Sequence, residues 1–226
     1  MRRLPRLYAI VDPLDTGRDP VALAEMMLAA GARLLQLRRK GASSRELLAL
    51  ATRIAPTARR AGALFLVNDR PDIARAVDAD GVHLGEQDLP IDAARRVLGR
   101  DRIVGLSTHD VDAARAAVAA GADYIGIGPV YETTSKAGAL APRGIELVRA
   151  ARAAVRCPLV AIGGITPANV ADVLAAGADS VAMIAALVRA DDPSVAVREA
   201  LAAVSRGDVA PRAGRGRRAR TPRAGR

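Results

Sequence analysis

Short apolar and β-branched runs alternate with Ala- and Leu-rich stretches along most of the chain. The runs Arg6–Val11, Arg33–Arg38, Ala63–Val67, Gly81–Leu84, Arg102–Leu106, Asp123–Ile127, Pro158–Ile162 and Asp179–Met183 read as eight strands. They are apolar enough to be covered on both faces, as parallel strands are. Between them, stretches such as PVALAEMMLAA, SRELLALATRIAPTARRA, DVDAARAAVAA, GIELVRAARAAV and ANVADVLAA space their apolar residues at helical intervals. A last helix is expected from about Leu187 to Val204. The segment AAGA recurs three times just before a strand, placing Gly31, Gly121 and Gly177 where a helix end favours positive φ. Eight regular β-α units predict an α/β chain whose parallel strands close into a single-domain (β/α)8, or TIM, barrel over residues 1–205. An open doubly wound sheet is the alternative, but eight regular units close readily.

Composition narrows the class without changing this picture. A domain of this size removes roughly 70% of its unfolded surface from water, so it needs no disulfide or structural metal. Cys157 is the one cysteine, which excludes a disulfide framework, and no Cys/His cluster suggests zinc. The apolar run after the basic start ends at Asp12, too soon for a signal peptide, and no apolar stretch is long enough to span a membrane. A cytoplasmic location is expected. The net charge of +10 is concentrated at the end of the chain: residues 206–226 contribute +7 of it. This Arg-rich tail has almost no large apolar side chain, so disorder is expected there, with weak polyanion contact as its alternative use. No nucleic-acid or membrane partner is expected for the barrel, and a homo-oligomer is compatible with the sequence.

In such a barrel the chemistry collects at the C-terminal strand ends. In β-strand two, Gln36, Arg38 and Lys40 stand two apart and face one side, with Leu35 and Leu37 facing the other. Cations at the mouth of a barrel interior call for an anionic ligand. The chain contains 32 Arg and two Lys, and both Lys40 and Lys136 fall in strand-end loops, where a compact point charge suits a phosphate. His83 and His109 end strands four and five. Strand three ends in Asn68-Asp69-Arg70-Pro71, and Asp88 lies in the loop after strand four. Asp69 and Asp88 could initiate turns or cap helices. Facing a polyphosphate, each would repel it by about 4 kcal/mol per charge pair at ~4 Å and an effective dielectric near 20. A bridging Mg²⁺ reverses that sign. Ser107-Thr108-His109-Asp110 ends strand five, and one of these residues could simply cap the next helix.

The long segment after strand six, GPVYETTSKAGALAPRG, has no periodic pattern and carries Thr133, Thr134, Ser135 and Lys136. Loops of that length are usually lids or binding loops. IGGITP ends strand seven, with Thr166 expected as a helix N-cap and Pro167 as the first helical residue. With Ile184-Ala185 after strand eight this matches the usual barrel phosphate site. Two anion sites are therefore expected on one rim. Strands two to four plus Lys136 suit a diphosphate, and strands seven and eight suit a single phosphate.

The motifs QLRRK (36–40), NDR (68–70), DGVHLGEQDLP (80–90), GLSTH (105–109), GADYIGIGPVYETTSK (121–136) and IGGITPAN (162–169) closely resemble the thiamine-phosphate synthase family over about residues 6–190. The resemblance implies condensation of 4-amino-5-hydroxymethyl-2-methylpyrimidine diphosphate with a thiazole phosphate. It implies that Gln36, Leu37, Arg38, Arg39, Lys40, Asn68, Ser107 and Lys136 bind the pyrimidine diphosphate, with Arg38, Lys40, Ser107 and Lys136 catalytic. It implies that Asp69 and Asp88 ligate Mg²⁺, and that Thr133, Thr134, Ser135, Gly164, Ile184 and Ala185 hold the thiazole phosphate. Ala185 stands where the family often has Ser, leaving only its main chain to donate. SKAGALAPRG also resembles the sister family of thiazole tautomerases. A non-enzymatic phosphate-binding barrel is the remaining alternative.

Overall fold

The computed structural model describes residues 4–135 and 140–206. The strands are β1 (Leu7–Val11), β2 (Leu34–Leu37), β3 (Leu64–Asn68), β4 (Gly81–Leu84), β5 (Ile103–Thr108), β6 (Tyr124–Ile127), β7 (Leu159–Ile162) and β8 (Ser180–Met183). Each pairs in parallel with the next, and β8 returns to β1, so the barrel is closed. The open-sheet alternative is thereby excluded. Helices α1 (Pro20–Ala29), α2 (Ser44–Arg60), α3 (Pro71–Ala76), α4 (Ile91–Leu98), α5 (Val111–Ala119), α6 (Gly144–Ala154), α7 (Val170–Ala175), α8 (Ala185–Val188) and α9 (Pro193–Arg206) surround it. Among the described residues no helix is long and apolar enough to cross a membrane.

Local chemistry explains most boundaries. Asp19 caps α1 by accepting from the Val21 and Ala22 amides, and Ser43 with Glu46 closes a capping box on α2. Gly31, Gly121 and Gly177 all have positive φ, as the repeated AAGA requires. Two expectations are corrected. The stretch from Leu187 to Val204 is two helices, α8 and α9, because Pro193 disfavours helix at the residue before it and Asp192 caps anew by accepting from the Ser194 and Val195 amides. Thr166 does not cap α7. Its amide donates to Asn169 Oδ1 (2.9 Å), the segment between is a turn, and the helix begins at Val170. α3 and α4 are two further short helices, following β3 and β4.

Strand alternation sorts the core into two shells. Leu35, Leu37, Val67, Val82, Ile125 and Val181 point outward against the helices. Tyr8, Ile10, Leu34, Leu66, Ile103, Tyr124, Val160 and Ala182 fill the barrel. Each fully buried large apolar side chain contributes roughly 1.5–3 kcal/mol, so the interior is a packed core and only its upper end is free for chemistry. α9 ends at Arg206, one residue past the expected boundary. The remainder of the Arg-rich tail lies outside the described residues.

Candidate active site

Gln36 lies on the inward side of β2, and Arg38 follows directly after the strand. Gln36 is buried and donates its amide nitrogen to Tyr8 Oη (2.6 Å). Arg38 pairs with Asp12, a buried carboxylate at the end of β1 whose other oxygen accepts from the Leu14 amide (3.1 Å). That carboxylate fixes the guanidinium at the rim with charge-assisted hydrogen bonding. Leu37 is buried with its side chain in the outer shell, leaving only its main chain to the mouth. Arg39 is exposed, and its charge helps hold the Glu46 carboxyl below its ordinary range, behind the Ser43 hydrogen bonds that lead this effect. Lys40 crosses to β3 and pairs with Asp69.

Neither Asp69 nor Asp88 caps a helix: α3 and α4 start without any side-chain cap. Asp69 adopts positive φ, rare outside glycine, directly after β3. Asp88 closes its own turn, accepting from the Gly85 amide (2.7 Å). Burial, and then the neighbouring Asp69 carboxyl acting as a hydrogen-bond acceptor for its proton, push the Asp88 carboxyl up, while the Gly85 amide and Lys40 oppose the shift. Two carboxylates thus share one spot beside an ammonium. Asn68 is buried at the end of β3, in register with His83.

Behind this rim a chain of side chains crosses the barrel. Tyr8 Oη lies 3.0 Å from Tyr124 Oη, which lies 2.7 Å from His83 Nδ1, and His83 Nε2 lies 2.9 Å from Ser107 Oγ. His83 stacks on Tyr124 with centroids 5.5 Å apart. Burial pushes the imidazole down to about 4, against the pull of Asp88, so it is neutral at physiological pH. Burial likewise raises both phenols far above their usual range. His109 is directed elsewhere, with Nδ1 donating to the Gly128 carbonyl (2.6 Å). Asp110 caps α5 by accepting from the Ala113 amide, so Ser107 is free of that role.

Ser107 also lines a cavity of about 390 Å³ that runs to the opposite side of the mouth. Thr133, Thr134 and Ser135 line it together with Gly163, Gly164, Ile184 and Ala185. A β-carbon on Gly164 would lie 2.3 Å from the Glu132 carbonyl, so a bare backbone is required there. Thr134 accepts a hydrogen bond from Arg189 Nη1 (2.9 Å), and Arg189 also holds Asp15 through Nε (3.0 Å). Lys136 lies outside the described residues. Among the described residues no group of three or more His, Cys, Asp or Glu gathers as a metal cage.

The family profile described as thiamine monophosphate synthase matches residues 7–187. The chain belongs to this family. It is 47% identical over 201 residues to a thiamine-phosphate synthase of Chloroflexus aurantiacus, covering 88% of this chain and 93% of that protein. The same identity and length hold for a thiamine-phosphate synthase of Moorella thermoacetica, of which 96% is covered. The solved thiamine phosphate pyrophosphorylase of Pyrococcus furiosus superposes with a TM-score of 0.82 at 36% identity, over 89% of this chain and 96% of that one.

Within this thiamine monophosphate synthase fold, four residues that shape the mouth went unread in the sequence. Asp12 was notable only for ending an apolar run, and Arg189 is one Arg among many. Tyr8 and Tyr124 were hidden inside apolar strands. Their signal was scarcity: the chain has three Tyr and no Trp, and two of the three fall on inward strand positions.

Proposed function

We propose that this chain is a transferase that condenses 4-amino-5-hydroxymethyl-2-methylpyrimidine diphosphate with a thiazole phosphate, forming thiamine phosphate and releasing diphosphate. The observation that carries this reading is the Asp69–Asp88 pair beside Lys40, on the same mouth as a glycine-walled cavity. The relatives named thiamine-phosphate synthase, similar over nearly the whole barrel, support it.

The donor set fits Mg²⁺, which binds through one or two carboxylates and completes its shell with water and substrate phosphate. Asp69 and Asp88 would hold the ion, and Lys40 would give up part of its pairing with Asp69 to the diphosphate. When bound, Mg²⁺ supplies positive charge against the developing charge of the leaving diphosphate. Arg38, oriented by Asp12, adds a second fixed cation, and Lys40 and Lys136 add point charges; a preorganised donor of this kind is typically worth a few kcal/mol. Gln36, Asn68 and Ser107, with the main chain of Leu37 and Arg39, position the pyrimidine. The C–O bond to diphosphate breaks, its electron pair leaving with the diphosphate, and the thiazole nitrogen lone pair forms the new C–N bond to the pyrimidine-stabilised cation. The nitrogen carries no proton, so no general base is required. Thr133, Thr134, Ser135, Gly164, Ile184 and Ala185 hold the thiazole phosphate at the far wall.

A thiazole tautomerase has no diphosphate for the carboxylate pair and its cations to bind, which favours the synthase reading. Incubating the purified protein with both substrates, with and without Mg²⁺, is expected to give thiamine phosphate only when the metal is present. Absence of thiamine phosphate under both conditions sinks the reading.

A further inference from the structure

We propose that Tyr8, Tyr124 and His83 form a one-way hydrogen-bond chain that starts at Gln36 and commits the Ser107 hydroxyl to donate its proton to an acceptor atom of the pyrimidine diphosphate. The three are positioning residues. None has to touch the substrate.

The direction follows from counting protons. Gln36 presents its amide nitrogen to Tyr8, and an amide nitrogen can only donate. Tyr8 has two partners for its hydroxyl, Gln36 and Tyr124, so having accepted from the first it donates to the second. Tyr124 in turn accepts from Tyr8 and donates to His83 Nδ1. The neutral ring therefore carries its proton on Nε2, which donates to Ser107 Oγ. Ser107, having accepted inside, has its own proton left for the cavity it lines.

The reverse direction fails at a single atom. With Ser107 donating inward, Tyr8 would accept from both Gln36 and Tyr124, and its hydroxyl proton would be stranded in a dry core. A buried donor without a partner is costly. Among the described residues every buried side-chain nitrogen and oxygen does have a partner. The chain also spans five strands, β2, β1, β6, β4 and β5, so side chains rather than any one loop fix the orientation. Its rigidity comes from packing: Tyr8 meets Tyr124 edge-on at 6.0 Å, and His83 stacks on the same ring.

The chain contains two histidines, so long-range ¹H–¹⁵N spectra of the full-length protein contain two imidazoles, distinguished by a His109→Gln sample. The expected result at neutral pH is His83 protonated on Nε2 with a bare Nδ1. A proton on Nδ1, or an even mixture, overturns the proposal. In Gln36→Leu the chain loses its donor-only end and the single tautomer is expected to give way to a mixture. An unchanged spectrum there means that the orientation is local and the chain is not its cause. Tyr124→Phe, which removes one link outside the substrate pocket, is expected to raise KM for the pyrimidine diphosphate about tenfold while leaving KM for the thiazole phosphate unchanged. Equal changes in both, or none in either, count against it. The target of the Ser107 proton rests on the function proposed above, whereas the tautomer does not. A protein with the expected spectrum but no thiamine phosphate would sink the function and leave the chain standing.

Discussion

Gly105 on β5 faces Tyr124 on β6 so closely that a β-carbon at residue 105 would lie 2.0 Å from the ring's Cζ. The glycine is the space in which the tyrosine stands. Gly105→Ala is expected to push the ring aside, break its hydrogen bond to His83 and cost about 1–3 kcal/mol through overpacking. Urea unfolding reads the stability loss. Unchanged stability together with an unchanged His83 spectrum would mean that the interior yields more easily than its packing implies.

The carboxylate pair makes a separate prediction. Asp69→Ala and Asp88→Ala are each expected to abolish condensation while leaving the barrel folded by circular dichroism. Mg²⁺ is expected to raise the melting temperature of the wild type, because ligands that bind only the folded state stabilise it. It should do less in either variant. Wild-type turnover in one of them would remove that carboxylate from the metal assignment.

His83 sets a pH limit on stability. Its folded value is held down to about 4 by burial, below the ordinary imidazole value, so the unfolded chain takes up the proton first as pH falls. The stabilising effect is complete above about pH 6.5 and is lost progressively down to about pH 4, reaching up to about 3 kcal/mol. The raised Asp88 carboxyl works in the other direction, since its protonation relieves first the cost of burying its charge and then its interaction with Asp69. Unfolding free energies at pH 7.5 and pH 5 should differ more in the wild type than in His83→Gln. An equal difference in both proteins would show that other groups carry the acid sensitivity.

Removal of residues 207–226, all of them beyond the end of α9, is expected to leave turnover unchanged. Steady-state rates of the truncated and full-length proteins test this. A large loss would make the Arg-rich segment part of the working enzyme.

Much of the scaffold was legible from pattern alone. Strand positions followed from short apolar runs, and the inward facing of Gln36 followed from a period of two, whereas β2 ends at Leu37 and leaves Arg38 and Lys40 in the segment beyond it. Helix ends were legible where one residue type has one role, as in AAGA. They were missed where two signals competed: at Thr166, Asn169 took the amide, and at Pro193 an apolar period ran across a break.

What the chain determined by itself was everything that depends on neighbours in sequence, including periodicity, capping and the delivery of polar residues to strand ends. Only the closed barrel decided who meets whom across it. Asp12 with Arg38, Asp69 with Asp88, Tyr8 with Tyr124 and Thr134 with Arg189 are pairs from separate units. Their contact depends on barrel curvature and strand register, which no local pattern encodes, and their chemistry arises from burial that exists only once all eight strands are in place.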